Sequence, residues 1–154
     1  MKIIETKIGK LTVVGEHGAV TEIRYAQEPA SRTAQAETET EIFASSELLE
    51  YFDGKRQSFS FKITPAGSEF ERLVWAELRN IPYGETRTYG DIAKAVKHEK
   101  AARAVGNACR KNPILIAVPC HRAVGKNGIG GFVLGGDAKR FLLETENCNK
   151  KISQ

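Results

Sequence analysis

Cysteine is scarce in this chain of 154 residues: Cys109, Cys120 and Cys148 are an odd number, far apart, with no CxxC pair among them. A chain this long can bury a core without covalent staples, so a disulfide framework is not expected. Histidine is equally sparse, and His17, His98 and His121 show no HxxxH spacing, so no metal site is expected either. No apolar run approaches the roughly 20 residues that a membrane helix requires, and Met1–Glu5 lacks the long apolar segment of a secretory signal. These absences, with 41% hydrophobic and 27% charged residues, predict a globular cytoplasmic protein with no membrane partner.

The charge is unevenly distributed. Residues 1–64 hold 8 Lys/Arg against 10 Asp/Glu, whereas residues 72–126 hold 11 against 4. A basic second half suits a polyanion as partner; a solvated lysine-rich surface would give the same count.

The first half reads as a small α/β domain, residues 1–64. Lys10–Val14 and Val20–Tyr25 are β-rich runs around the turn signal Gly15-Glu16-His17-Gly18, which predicts a hairpin. Ser31–Glu41 is polar and acidic and is expected to be a mobile connection. A helix should follow to about Asp53, with Phe43, Leu48, Leu49 and Phe52 as its apolar face and Gly54 as its stop. Phe59, Phe61 and Ile63 alternate with polar residues as in a half-buried strand.

Thr64-Pro65-Ala66-Gly67 marks a boundary, and residues 65–154 read as a mainly helical domain. Glu69–Leu78 carries Phe70, Leu73, Val74 and Leu78 at helical spacing. Thr88–Val96 repeats apolar side chains at Tyr89, Ile92, Ala93 and Val96 with Thr88 as N-cap. A second helix is expected from about Lys100 to Arg110, and two short helices joined by a tight link suggest a helix-turn-helix. On the second helix Arg103, Asn107 and Arg110 fall within an arc of roughly 60°, flanked by the small residues Ala102 and Gly106. Such a stripe can simply face solvent. Yet glycine inside a helix costs about 0.5–1 kcal/mol, so Gly106 asks for a reason, and small residues with arginines suit close approach to a narrow groove.

Ile114–Val118 is a candidate buried strand that Pro119 would end, bringing Cys120 out of the core. A free thiol is mostly protonated at neutral pH, so a nucleophilic cysteine needs a base or a positive charge nearby, which His121 and Arg122 could supply. Taken alone, the pair is equally what a packing cysteine beside an incidental histidine would look like. Gly125–Gly136, with six glycines in twelve residues, reads as a flexible loop able to cover a pocket. Lys139–Glu146 reads as a last helix, one of whose carboxylates, Glu144 or Glu146, could orient His121.

The succession Ile81-Pro82-Tyr83-Gly84, Thr88-Tyr89-Gly90-Asp91-Ile92-Ala93, Ala101-Ala102-Arg103-Ala104-Val105-Gly106, Arg110-Lys111-Asn112-Pro113, Pro119-Cys120-His121-Arg122 and Phe141-Leu142-Leu143-Glu144-Thr145-Glu146 resembles the O6-alkylguanine-DNA alkyltransferases. The likeness runs from about Pro65 to Glu146. It implies a cofactor-free monomer that binds double-stranded DNA through the minor groove, flips out O6-alkylguanine and takes the alkyl group irreversibly onto Cys120. By position it implies His121 as water-mediated base, Glu146 as its orienting carboxylate and Tyr89 as proton donor to the departing guanine. Asn112 would tie the helix-turn-helix to the cysteine loop. Tyr89, Gly90, Ala102, Arg103, Gly106, Asn107 and Arg110 would meet DNA, Arg103 filling the gap left by the flipped nucleotide, and Phe132 and Val133 would line the substrate pocket.

Three departures stand out. His98-Glu99 replaces a frequent Asn-Pro before the recognition helix, Phe132-Val133 replaces a hydroxyl-bearing Tyr-Ser pair, and the metal-binding cysteines of some relatives have no counterpart. A lesion-binding protein without transfer activity would share the helix-turn-helix but not Cys120. A cysteine hydrolase would share Cys-His-Glu but not the basic helix.

Overall fold

The computed structural model describes residues 1–26, 36–132 and 134–152. It divides into two compact units, one of Met1–Ala66 with Pro113–Leu115 and one of Gly67–Asn112 with Ile116 onward. Among the described residues no helix is long and apolar enough to cross a membrane.

The first unit is built on an antiparallel sheet of β1 (Lys2–Thr6), β2 (Gly9–Glu16) and β3 (Ala19–Tyr25), in that order. The expected hairpin is β2–β3, and its two-residue turn has both His17 (φ 52°) and Gly18 (φ 80°) in the left-handed region, as the twist of a tight hairpin requires. Leu11, Val13, Val20 and Ile23 are buried beneath α1 (Glu39–Phe52), which contributes Ala44, Leu48, Tyr51 and Phe52.

Three expectations for this unit are corrected. The connection at Ser31–Glu41 gives way to helix by Glu39, because Thr38 and Glu41 form a reciprocal capping box; residues 31–35 lie outside the described residues. Glu41 is buried and accepts hydrogen bonds from the Gly15 and Thr38 amides at 3.1 and 2.9 Å, so the acidic end of the expected mobile connection is an anchor. Phe43 and Leu49 are exposed, since only one stripe of α1 faces the sheet. The run Phe59–Ile63 forms no strand: Ile63 alone bridges to Val20, while Phe59 and Phe61 pack their rings together and Phe59 reaches Tyr51.

The second unit holds α2 (Glu69–Leu78), α3 (Tyr89–Ala95), α4 (Ala102–Arg110) and α5 (Gly136–Ile152), with a two-residue parallel pair of β4 (Arg87–Thr88) and β5 (Ala123–Val124). Ser68 with Glu71 caps α2 and Thr88 with Asp91 caps α3 by the same reciprocal box. The buried Trp75 indole donates to the Ala108 carbonyl at 2.9 Å and so fixes α2 to α4. Between α3 and α4 the chain reverses at Lys97 (φ 64°), where the His98 amide returns to the Ala93 carbonyl at 2.9 Å, a left-handed helix stop. That turn delays α4 to Ala102, and its N-cap, Ala101, makes no side-chain cap.

The strand expected at Ile114–Val118 is absent. The segment is buried as read, but Ile114 and Leu115 run beside β3 in the first unit, bracketing Ile23 through the Pro113 carbonyl and the Leu115 amide at 2.9 Å each. At Ile116 (φ 71°) the backbone enters the left-handed region, an uncommon place for a β-branched residue, and a turn replaces the ladder.

Candidate active site

Cys120 opens a single 3-10 turn, Cys120–Arg122, and lies on the wall of a pocket of about 520 Å³ within the second unit. The other wall is α4, through Ala102, Arg103, Gly106, Asn107, Cys109 and Arg110, and Tyr89, Gly131 and Phe132 also line it. Eight of the residues singled out in the sequence therefore meet at one cavity. Asn112 stands behind it, donating its side-chain amide to the Val118 carbonyl at 2.8 Å, the same oxygen that accepts the Cys120 amide at 2.8 Å. Gly90 is not on the lining, and Val133 lies outside the described residues.

On α4 the buried stripe is Val105, Ala108 and Cys109, which turns Arg103, Asn107 and Arg110 outward. A Cβ placed on Gly106 would meet no atom within 4 Å. Nothing among the described residues therefore demands glycine there, and α4 is open to close approach at that point.

The 3-10 turn resolves the difficulty of adjacent Cys and His on a strand, because it lets His121 enter the core. The imidazole is wholly buried, and its Nε2 lies 2.8 Å from Glu146 Oε2. Burial alone would raise the Glu146 carboxyl, but hydrogen bonding and charge from His121 and Arg122 prevail and hold it at about 2. An ionised carboxylate can only accept, so Nε2 carries the proton and Nδ1 presents a bare lone pair. That Nδ1 is buried and has no hydrogen-bond partner among the described residues. Burial also pulls the imidazole below its ordinary value, against the pull of Glu146, which keeps it a neutral base.

Arg122 does not supply the expected charge to Cys120. Its Nε donates to Glu146 Oε1 at 2.6 Å, its Nη1 to the Ile81 carbonyl at 2.8 Å, and the guanidinium lies 5.6 Å from the Tyr83 ring centre. It braces the carboxylate instead. The cation that acts on Cys120 is Lys139: burial pushes the thiol up, while a hydrogen bond with Asn112 and the Lys139 ammonium oppose that rise. Lys139 is fully buried and donates to the carbonyls of Ala123 at 2.6 Å and Gly131 at 3.1 Å.

Lys139 and Cys109 are the site residues that the sequence reading missed. For Lys139 a signal existed: on a helix, residues 139, 142 and 146 share one stripe, so a lysine stood in line with Leu142 and Glu146. Cys109, also on the pocket wall, is pushed up to about 12 by burial and by Cys120, and so stays a thiol. The glycine-rich loop packs close to Tyr89, since at Gly130 (φ 76°) a Cβ would come within 2.5 Å of the Tyr89 hydroxyl.

Residues 69–148 match the family model of the 6-O-methylguanine DNA methyltransferase DNA-binding domain. The chain is 43% identical to a methylated-DNA–protein-cysteine methyltransferase of Methanosarcina acetivorans, over 94% of this chain and 96% of that one. It is 39% identical to the constitutive enzyme of that name from Bacillus subtilis, over 96% and 94%. Among solved structures it is similar to the Mycobacterium tuberculosis OGT in complex with DNA, with a TM-score of 0.86 at 40% identity, covering 96% of this chain and 92% of that one.

Proposed function

Since the chain belongs to the methylated-DNA–protein-cysteine methyltransferase family, we propose that it repairs duplex DNA by moving the alkyl group of an extruded O6-alkylguanine onto Cys120. The observation that carries this reading is the shared wall: the nucleophile and the outward face of α4 line one pocket. A base inside a duplex hides its alkylated atom, so a protein that holds DNA against α4 and reacts at Cys120 must bring the base out of the stack. Arg103, on the pocket rim and exposed, fills the space the base leaves.

The chemistry follows from the placements. A water held at His121 Nδ1 relays the Cys120 proton to the imidazole, and Glu146 stabilises the imidazolium. The thiolate sulfur attacks the alkyl carbon, the carbon–oxygen bond breaks, and the electron pair leaves with the guanine, which Tyr89 protonates. The product is a thioether, a poor leaving group, so each molecule acts once. Among the described residues one pocket and one helix-turn-helix of a single chain supply these groups, which supports a monomer as the working unit.

The test is incubation with a duplex containing O6-methylguanine, followed by intact mass and peptide mapping. One methyl group per molecule on the Cys120 peptide, and none in Cys120→Ala with DNA binding retained, is expected. Multiple turnovers or methylation of Cys109 would overturn the mechanism, and binding without transfer would leave only a lesion-recognition protein.

A further inference from the structure

Lys139 is a buried cation whose three hydrogen-bond partners include no carboxylate: the Ala123 carbonyl at 2.6 Å, the Gly131 carbonyl at 3.1 Å and the Tyr89 hydroxyl at 3.4 Å. An ammonium group has three N–H donors and no acceptor. Three oxygens surround it, so the third bond forces the Tyr89 oxygen to accept. A phenol that accepts in this way keeps its own hydrogen for something else, and no acceptor for that hydrogen is present among the described residues. The ring lines the pocket, and Lys139 Nζ lies 5.6 Å from its centre.

We propose that Lys139 is the positioning residue for the proton donor: by occupying a lone pair of the Tyr89 oxygen it turns the phenolic O–H into the pocket, and it stabilises the phenolate left after proton transfer. This rests on Tyr89 being the donor to the departing guanine. The proton balance is simple. The Tyr89 O–H bond breaks, the guanine gains the hydrogen, and the negative charge stays on the Tyr89 oxygen beside the ammonium. The link to the Gly131 carbonyl gives Lys139 a second task, because the same ammonium pins the glycine-rich loop beside the hydroxyl it orients. Lys139 also bears on Cys120 directly, and the two effects are separable.

The test is a double-mutant cycle on single-turnover methyl transfer from duplex DNA, comparing wild type, Tyr89→Phe, Lys139→Met and the double variant. A positioned acid is worth on the order of 10²-fold, so Tyr89→Phe and Lys139→Met should each lose about that much in the transfer step at saturating DNA. Once Tyr89→Phe is in place, adding Lys139→Met should cost less than about tenfold, the remainder being its direct effect on Cys120, and iodoacetamide alkylation of Cys120 should slow by no more than that. Lys139→Arg, which keeps the charge and the donors, should recover most of the rate. If the Met variant does not fold by Trp75 fluorescence, Lys139→Gln, which also removes the ammonium, carries the same cycle. Equal losses from Lys139→Met with and without Tyr89→Phe would overturn the proposal, as would no loss at all. A Tyr89→Phe variant as fast as wild type would instead remove Tyr89 as donor, and the inference with it.

Discussion

Glu146→Gln is a sharp perturbation of the site, because the carboxylate holds two buried donors at once. It accepts from His121 Nε2 at 2.8 Å and from Arg122 Nε at 2.6 Å, and its side chain is 1% exposed. A carboxyl held at about 2 instead of the ordinary 4.5 stabilises the folded state by on the order of 3 kcal/mol, at roughly 1.4 kcal/mol for each tenfold change in proton affinity. Glutamine keeps one acceptor oxygen and aims an NH₂ group at a second donor, leaving Arg122 buried without its counter-charge, a defect that typically costs about 3–5 kcal/mol. The imidazole can relieve the clash only by moving its proton to Nδ1. That removes the lone pair that faces the relay.

The variant should therefore lose about 3 kcal/mol at neutral pH and transfer methyl groups about 10²-fold more slowly. Urea unfolding followed through Trp75, the chain's single tryptophan, reports on the second unit. The pH dependence supplies the sign. A depressed carboxyl contributes fully above its unfolded value and loses that contribution as pH falls from about 4.5 through about 2. His121, depressed by burial, adds a loss that begins as pH falls below its ordinary 6.5, since the unfolded chain then binds a proton the folded one refuses. The gap between wild type and Glu146→Gln should accordingly close across the carboxylate window. Equal stability at neutral pH, or a gap that persists undiminished to about pH 2, would refute the assignment of that energy to Glu146.

Gly106→Phe should fold as well as wild type, because nothing lies within 4 Å of the new Cβ, yet lose at least about 1.4 kcal/mol of DNA binding, tenfold in Kd by fluorescence anisotropy; undiminished binding would take α4 away from the DNA. Gly106→Ala should raise helix stability by about 0.5–1 kcal/mol, read as a higher urea midpoint. Gly130→Ala must displace the Tyr89 hydroxyl, which would otherwise sit 2.5 Å from the methyl, so transfer should slow with DNA affinity intact, and an unchanged rate would show that the loop yields instead. Arg103→Ala should impair transfer from duplex DNA more than from the free alkylated base, which needs no extrusion; equal losses would deny Arg103 that role.

Legibility followed periodicity. α2, α3 and α5 were readable because their apolar residues recur at helical spacing, and the β2–β3 turn because His17-Gly18 permits left-handed backbone. The segment Ile114–Val118 misled because a continuous apolar run states burial and not conformation. Its left-handed turn at Ile116 is imposed by tertiary structure on a residue that disfavours it. Glu41 and Lys139 misled for a related reason. A charged side chain is normally solvated, and only its line with buried neighbours on a helix betrays the exception. The 3-10 turn at Cys120 carries no periodic signal, so the geometry that makes His121 useful was out of reach even though its residue was not.

The pocket holds two thiols, and their settings support the proposal that Cys120 is the nucleophile. Cys109 lies on the buried stripe of α4, where burial and the neighbouring Cys120 hold its thiol at about 12. Cys120 is at least as buried, and Lys139 opposes the rise at both thiols, but only Cys120 has the Asn112 amide beside it and is followed by a neutral imidazole with an unshared lone pair. Those supports come from separate places in the chain: Asn112 just beyond α4, the 3-10 turn itself, and Lys139 and Glu146 on one stripe of α5. On the proposed mechanism, reactivity at position 120 depends on how α4 and α5 grip one turn. A cysteine moved to any of its neighbours would keep the sulfur and lose the base.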